Sequence, residues 1–252
     1  MATGVKKNAS ETVFYLYGIS ESSKAPAHAS TGVDGVAEIE TIDCADLTCW
    51  VSRVSKSEFA DHLAEKMDNL DWLAEMSTRH QAAVAAIAQT SDVLPTRFGT
   101  VFLNEASLKA DVKGRKPQLQ ADLKRIKGNQ EWGIKVISLT PQIAMTPLEK
   151  SGKGYLQAKS ELLRAHRPGA PDEDTARFAR ELEALAEAVA EGGKISGGRR
   201  DLQYQISLLV KRNRRKELEA VLKRFSTRWQ GTREIECTGP WPPYSFVTRR
   251  PE

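Results

Sequence analysis

Cysteine is scarce. Cys44, Cys49 and Cys237 are the only three in 252 residues, with no CxxC and no Cys/His grouping at zinc spacing. Structural zinc and a disulfide framework are therefore excluded as the basis of the fold. The three thiols read as reduced cysteines of a cytoplasmic protein. Histidine is nearly as rare: His28, His62, His80 and His166 are scattered, with no HxxxH or HExxH. No apolar run approaches the ~18 residues of a membrane span. No apolar stretch follows the polar start MATGVKKNASET, which argues against a secretory signal. A GxSxG elbow for a serine nucleophile is missing. The glycine-rich stretch Glu191–Arg200 lacks GxxxxGK[ST] and runs from helix to strand, the reverse of a phosphate loop. Nothing here assembles a catalytic, cofactor or metal site.

The hydrophobic fraction of 40 % and charged fraction of 28 % suit a globular chain. A chain of this length buries roughly 70–75 % of its unfolded surface. The net charge of +4 is unevenly spread. Residues 1–128 carry 15 basic and 17 acidic side chains, and residues 129–252 carry 22 and 16. The excess lies mostly in 199–228, which includes KRNRRK (Lys211–Lys216). A basic segment invites a nucleic-acid or regulatory reading. RNA-binding sheets also display several aromatics, and only Tyr204 stands in the preceding strand. Nucleic acid is therefore the alternative and not the leading reading.

Thr12–Ile19 (TVFYLYGI) is β-branched and aromatic and predicts a strand. Val36–Ile42 and Leu47–Val54 predict a hairpin. Ser57 is a candidate N-cap for a helix through Phe59, Leu63 and Met67, and a second helix is expected over 70–89. Its stripe includes His80, for which a core or inter-domain hydrogen-bonding role is expected rather than that of a catalytic base. Thr96–Leu103 predicts a strand, followed by helices at 106–113 and 117–127. Residues 128–129 break the pattern. Beyond them, Glu131–Leu139 predicts a strand, and Tyr155, Ala158, Leu162 and Ala165 a helix. A helix opening at Asp172–Asp174 is expected to run through Phe178, Leu182, Leu185 and Val189. A short strand near Ile195, a strand over 201–211, a helix from Leu218 to Trp229 and a strand at 233–238 complete the order. With one helix set aside, the second half has the split βαβ order of ferredoxin-like domains. The expected fold is α+β in two domains, 1–128 and 129–252. Each is read as a modified ferredoxin-like sheet with helices on one face, and the tail GPWPPYSF (Gly239–Phe246) is placed in the second.

Two segments stand out. LPTRFGTVF (Leu94–Phe102) sets Arg97 inside an otherwise apolar strand, where burial would oblige it to pair. GPWPPYSF offers Trp241, Tyr244 and Phe246 on a course stiffened by prolines.

These two segments, with GKGYLQAK (Gly152–Lys159) between them, make the chain resemble the gas vesicle GvpF/GvpL family. FYLYGI (Phe14–Ile19) and Arg79–His80 also match, and the resemblance runs from about residue 12 to 248. It implies a non-enzymatic accessory protein of gas vesicle formation, cytoplasmic or vesicle-associated, without cofactor. Its implied partners are the small hydrophobic shell protein and other accessory proteins, assisted in nucleation or assembly, with no membrane involved. Arg97, Tyr155, Trp241, Tyr244 and Phe246 are the implied candidates for partner contact.

Overall fold

The computed structural model describes residues 11–21, 31–139, 172–191 and 201–248. The expected helix containing Tyr155, the GKGYLQAK stretch and the expected strand near Ile195 lie outside the described residues. The chain divides into two compact units. One comprises 1–129 and 241–252, and the other 130–240.

In the first unit β1 (Thr12–Ser20) is the centre of a five-stranded sheet. It pairs antiparallel with β3 (Leu47–Ser55), β4 (Val93–Pro95) and β5 (Val101–Phe102). β2 (Glu40–Cys44) lies outside β3. Ala45 and Asp46 join β2 to β3 with φ of 54° and 64°, the mirror-image turn that matches strand twist. β1 is buried from Val13 to Ser20 without a break, so both faces of the sheet are covered. On one face Val13, Tyr15, Tyr17, Trp50 and Val54 pack with Met76, Val84 and Ile87 of α2 (Leu70–Thr90), which follows the short α1 (Leu63–Met67). Asn69 caps α2 by accepting from the Trp72 N–H at 3.1 Å. Cys49, one residue from Trp50 and thus on the opposite face, lies within electrostatic reach of Asp111 and Arg115. These belong to the junction of α3 (Glu105–Gly114) and α4 (Lys116–Ile126).

The second unit holds a four-stranded sheet in the order β7-β8-β6-β9. β6 is Asn129–Ser138, β7 Ala188–Glu191, β8 Leu202–Lys211 and β9 Arg233–Trp241. Trp132, Ile134 and Val136 alternate on β6, and Ile206, Leu208 and Val210 on β8. All six face α5 (Glu173–Glu183) and α6 (Arg215–Arg228). Phe178, Phe225 and Trp229 form an aromatic knot, with Phe178 4.9 Å and 5.1 Å from the other two rings.

Four expectations need correction. The first sheet carries helices on both faces, because β1 is apolar or small at every position. The strand expected over 96–103 is broken: a turn with Gly99 at φ +78° separates β4 from β5, and Arg97 is exposed on it. The helix from Asp172 stops at Glu183, and Val189 belongs to β7, paired opposite Leu208. Arg214 draws that helix end closed by donating to the Ala184 and Leu185 carbonyls at 3.3 and 3.1 Å. Lastly, residues 241–252 group with the first unit and not the second.

Candidate functional site

The tail that drew attention in the sequence has a built seat in the first unit. Its upper end is His80. Period-two alternation on β1 sends Tyr15 and Tyr17 toward α2, where His80 lies one turn from Met76 and Val84. The His80 Nε2 is 3.2 Å from the Thr96 carbonyl, which can only accept, so Nε2 carries the proton. Nδ1 therefore accepts from the Tyr15 hydroxyl at 3.0 Å, and that oxygen accepts from the Gly99 N–H at 3.0 Å. The Tyr244 hydroxyl of the tail lies 3.3 Å from Nε2. Tyr17, Phe98 and Tyr244 rings close around the imidazole at 5.9, 6.0 and 6.4 Å.

Burial pushes the His80 pKa down to about 4, against a smaller opposing effect of the Thr96 carbonyl. Burial also pushes the Tyr15 hydroxyl up, and Tyr17 to about 12. At neutral pH the cluster is uncharged, and His80 is 2 % exposed. Its hydrogen bonds hold β1, α2, the turn at Gly99 and the tail together.

The lower end of the seat is Asp122 on α4, itself buried. Its carboxylate accepts from the Thr248 N–H at 2.9 Å, the Thr248 hydroxyl at 2.8 Å and Arg125 at 2.5 Å. Arg125 also donates to the Phe246 carbonyl. Between the two ends Pro242, Pro243 and Phe246 are buried or nearly so, and a tight turn is held by Tyr244 N–H to Pro242 O at 2.8 Å.

Of the residues singled out in the sequence, Tyr244 and Phe246 meet in this seat. Trp241 remains 48 % exposed at the end of β9, and Arg97 points from the exposed turn. Tyr155 lies outside the described residues. Sequence reasoning missed Asp122, Arg125 and Tyr15. Asp122 had a legible signal: it occupies the stripe of Leu119, Leu123 and Ile126, where an apolar residue belongs.

The basic segment is largely paired within the second unit. Lys211 meets Glu187 at 3.0 Å, Arg214 meets Glu217 at 2.9 Å, and Arg215 meets Glu219 at 2.8 Å. Arg224 bonds Glu181, and Arg228 meets Asp174 at 2.8 Å. An open recess of about 590 Å³ lies over the start of α5, lined by Asp172, Glu173 and Asp174 and by Arg177, Arg180, Arg228 and Arg233. Arg233 is held there by Asp172 at 2.7 Å. Burial alone would raise the Asp172 pKa, but the Thr175 N–H and Arg233 outweigh it and hold the carboxyl below its usual range. No group of three potential metal ligands occurs among the described residues. Cys44 and Cys49 are buried, and burial pushes both thiols up, which makes them poor nucleophiles.

The profile of the gas vesicle synthesis proteins GvpL/GvpF matches residues 13–248. The chain belongs to this family. Gas vesicle protein L of Streptomyces sp. (strain CB03234) is 28 % identical over 219 residues, covering 80 % of each chain. Gas vesicle protein F2 of Halobacterium salinarum is 25 % identical over 239 residues, covering 94 % of this chain and 93 % of that one. The crystal structure of GvpF from Anabaena sp. PCC7120 superposes with a TM-score of 0.73 at 17 % identity, over 95 % of this chain and 97 % of that one. GvpF from Microcystis aeruginosa gives 0.68 at 17 %, over 94 % and 99 %. These two likenesses establish a shared fold. The GvpL/GvpF match begins on β1 and ends on Thr248, so it spans both halves of the tail's seat. GvpL/GvpF proteins are not a known enzyme family, and no described helix is long and apolar enough to cross a membrane.

Proposed function

We propose that this chain is an accessory protein of gas vesicle formation, acting in the cytoplasm and on the vesicle. In this reading it binds the small hydrophobic shell protein and other assembly factors during nucleation or assembly, and works by contact without turnover. The GvpL/GvpF match over residues 13–248 carries the reading. The physical rationale is simple. A subunit that walls off gas needs apolar surface, and such surface aggregates before it polymerises. A reversible partner with a modest interface would shield it. The strand order of the second unit, second-third-first-fourth, supports a ferredoxin-like reading of that unit as a separate domain. Trp241 and Arg97 are the contact candidates best exposed, whereas Tyr244 and Phe246 are engaged by the chain itself.

The ion pairs along 211–228 weigh against the nucleic-acid alternative, because paired arginines offer little net field to a phosphate backbone. The test is deletion of the gene in a vesicle-forming host, with vesicles scored by electron microscopy, alongside pull-down with the purified shell protein. Loss of vesicles and direct capture are expected. Normal vesicles together with no capture, alone or with the other accessory proteins, would sink the reading.

A further inference from the structure

The seat and the tail are separable parts of one recognition event. The side chains that hold the tail belong to the body of the first unit: His80 on α2, and Asp122 and Arg125 on α4. The tail comes to that seat after the whole of the second unit, through the single link between Pro240 and Trp241. What the seat reads is specific. It takes an aromatic hydroxyl at His80, a buried ring at Phe246, and a backbone N–H together with a hydroxyl at Thr248. With the tail in place the Asp122 carboxylate is buried, and departure of the tail removes two of its three hydrogen-bond donors. An empty seat therefore offers to another chain the same imidazole and carboxylate that its own tail engages.

We propose that this seat is a peptide-recognition surface that accepts the C-terminal segment 241–248 of a second copy in place of its own. Two chains exchanging tails reciprocally form a closed twofold pair. Every hydrogen bond broken within a chain is remade between chains, so the interaction energy is unchanged. Only the effective concentration of the tethered tail favours the closed monomer. Crowding many copies at one place shifts that balance toward the exchanged pair. The inference is independent of what the protein binds, and its test contains no shell protein.

The experiment uses full-length chains. One carries Phe246→Ala and Thr248→Val, which disables the tail, and the other carries Asp122→Ala, which disables the seat. Mixed or co-expressed under two affinity tags, they are expected to co-purify one to one, whereas neither variant pairs with itself. A labelled peptide of residues 239–252 is expected to bind the tail-disabled chain saturably. A peptide with Tyr244→Phe and Thr248→Val is expected to bind about tenfold more weakly, the value of one to two hydrogen bonds. If the tail-disabled chain is insoluble alone, its rescue by the seat-disabled partner or by the peptide is the readout. Absence of pairing and of peptide binding by folded chains, equal binding of both peptides, or failure of rescue would overturn the proposal.

Discussion

The two units solve the same problem in opposite ways. In the first, polar groups are inside. Tyr15, Tyr17, Ser20, Ser52, His80 and Asp122 are buried, and each is bonded: Tyr17 to Ser52 at 2.7 Å, and the Trp50 indole to Ser20 at 3.0 Å. In the second, the interior is mainly an apolar and aromatic knot, with Glu131 and Thr175 its buried polar residues, and most of the polar chemistry is on the surface as arginine–carboxylate pairs. Directional bonds permit one arrangement and punish others, so the first unit is specified by geometry as well as by volume. Packing alone tolerates substitution as long as volume is kept, so the second is specified mainly by filling. The tail therefore sits where a small change of position would leave buried groups unpaired.

The largest effect that probes this contrast is loss of filling in the second unit. Phe178 is fully buried and touches Tyr204, Phe225 and Trp229. Phe178→Ala is expected to cost about 3–5 kcal/mol in denaturant unfolding. A cost below about 1 kcal/mol, a surface-like value, would mean that the knot is not the centre of that unit.

Acid probes the first unit. His80 ordinarily titrates at 6.5, and burial brings it to about 4 in the fold. The unfolded chain therefore binds this proton more readily. Stability is fully present above pH 6.5 and is lost as pH falls from 6.5 toward 4, by about 3 kcal/mol at most. Asp172 of the second unit is also depressed, but from 3.8, so its contribution disappears only at still lower pH. The two limbs are separated in pH, and His80→Gln should flatten the upper one in thermal melts while leaving the lower in place. An unchanged upper limb in the variant would remove His80 from the account.

A matched pair of hydroxyl deletions sharpens the comparison further. The Tyr15 hydroxyl bridges His80 and the Gly99 N–H, and removing it strands both. Tyr15→Phe should cost about 1–3 kcal/mol. In the second unit the Tyr204 hydroxyl is buried without a hydrogen-bond partner among the described residues, and burial pushes its pKa to about 12. Tyr204→Phe should be neutral or slightly stabilising by the same measurement, since it removes an uncompensated polar group. Equal costs at the two sites would erase the proposed difference between the units.

Much of this was legible in the residues, and the failures have physical reasons. TVFYLYGI reads as a strand because every position is β-branched, aromatic, apolar or small, and β1 is that strand. The stripe containing His80, Val84 and Ile87 marks a helix face, and all three are buried on α2. Val189 misled because Leu182, Leu185 and Val189 keep helical spacing. The pairing of Ala188–Glu191 with β8 joins residues well separated in the chain and outweighs that local pattern. Arg97 misled in the same way: its neighbours are apolar, but the turn that exposes it depends on bonds from Leu16 and Tyr17 of β1 to Thr100 and Thr96, far along the chain. The seat was the least legible feature. Its key contact joins residues 80 and 244, and no local pattern encodes a bond across 164 positions.

The smallest effect belongs to the surface pairs that distinguish the second unit. Arg215 and Glu219 are one helical turn apart at 2.8 Å, with side chains 56 % and 52 % exposed. Water and salt screen such a pair, so its coupling in a double-mutant cycle should not exceed about 0.5 kcal/mol and should vanish in about 1 M salt, where screening extends over roughly 3 Å. Arg215 also lies over the Trp132 ring, 5.6 Å from its centre. Its aliphatic stem and charge therefore cover part of the sheet's aromatic edge. Arg215→Ala should consequently cost more than Glu219→Ala, and the excess should survive added salt because it comes from cover and not from pairing. If the two single substitutions cost the same and both effects disappear in salt, the arginine serves only its carboxylate, and the charged surface adds nothing to the packing that holds the second unit together.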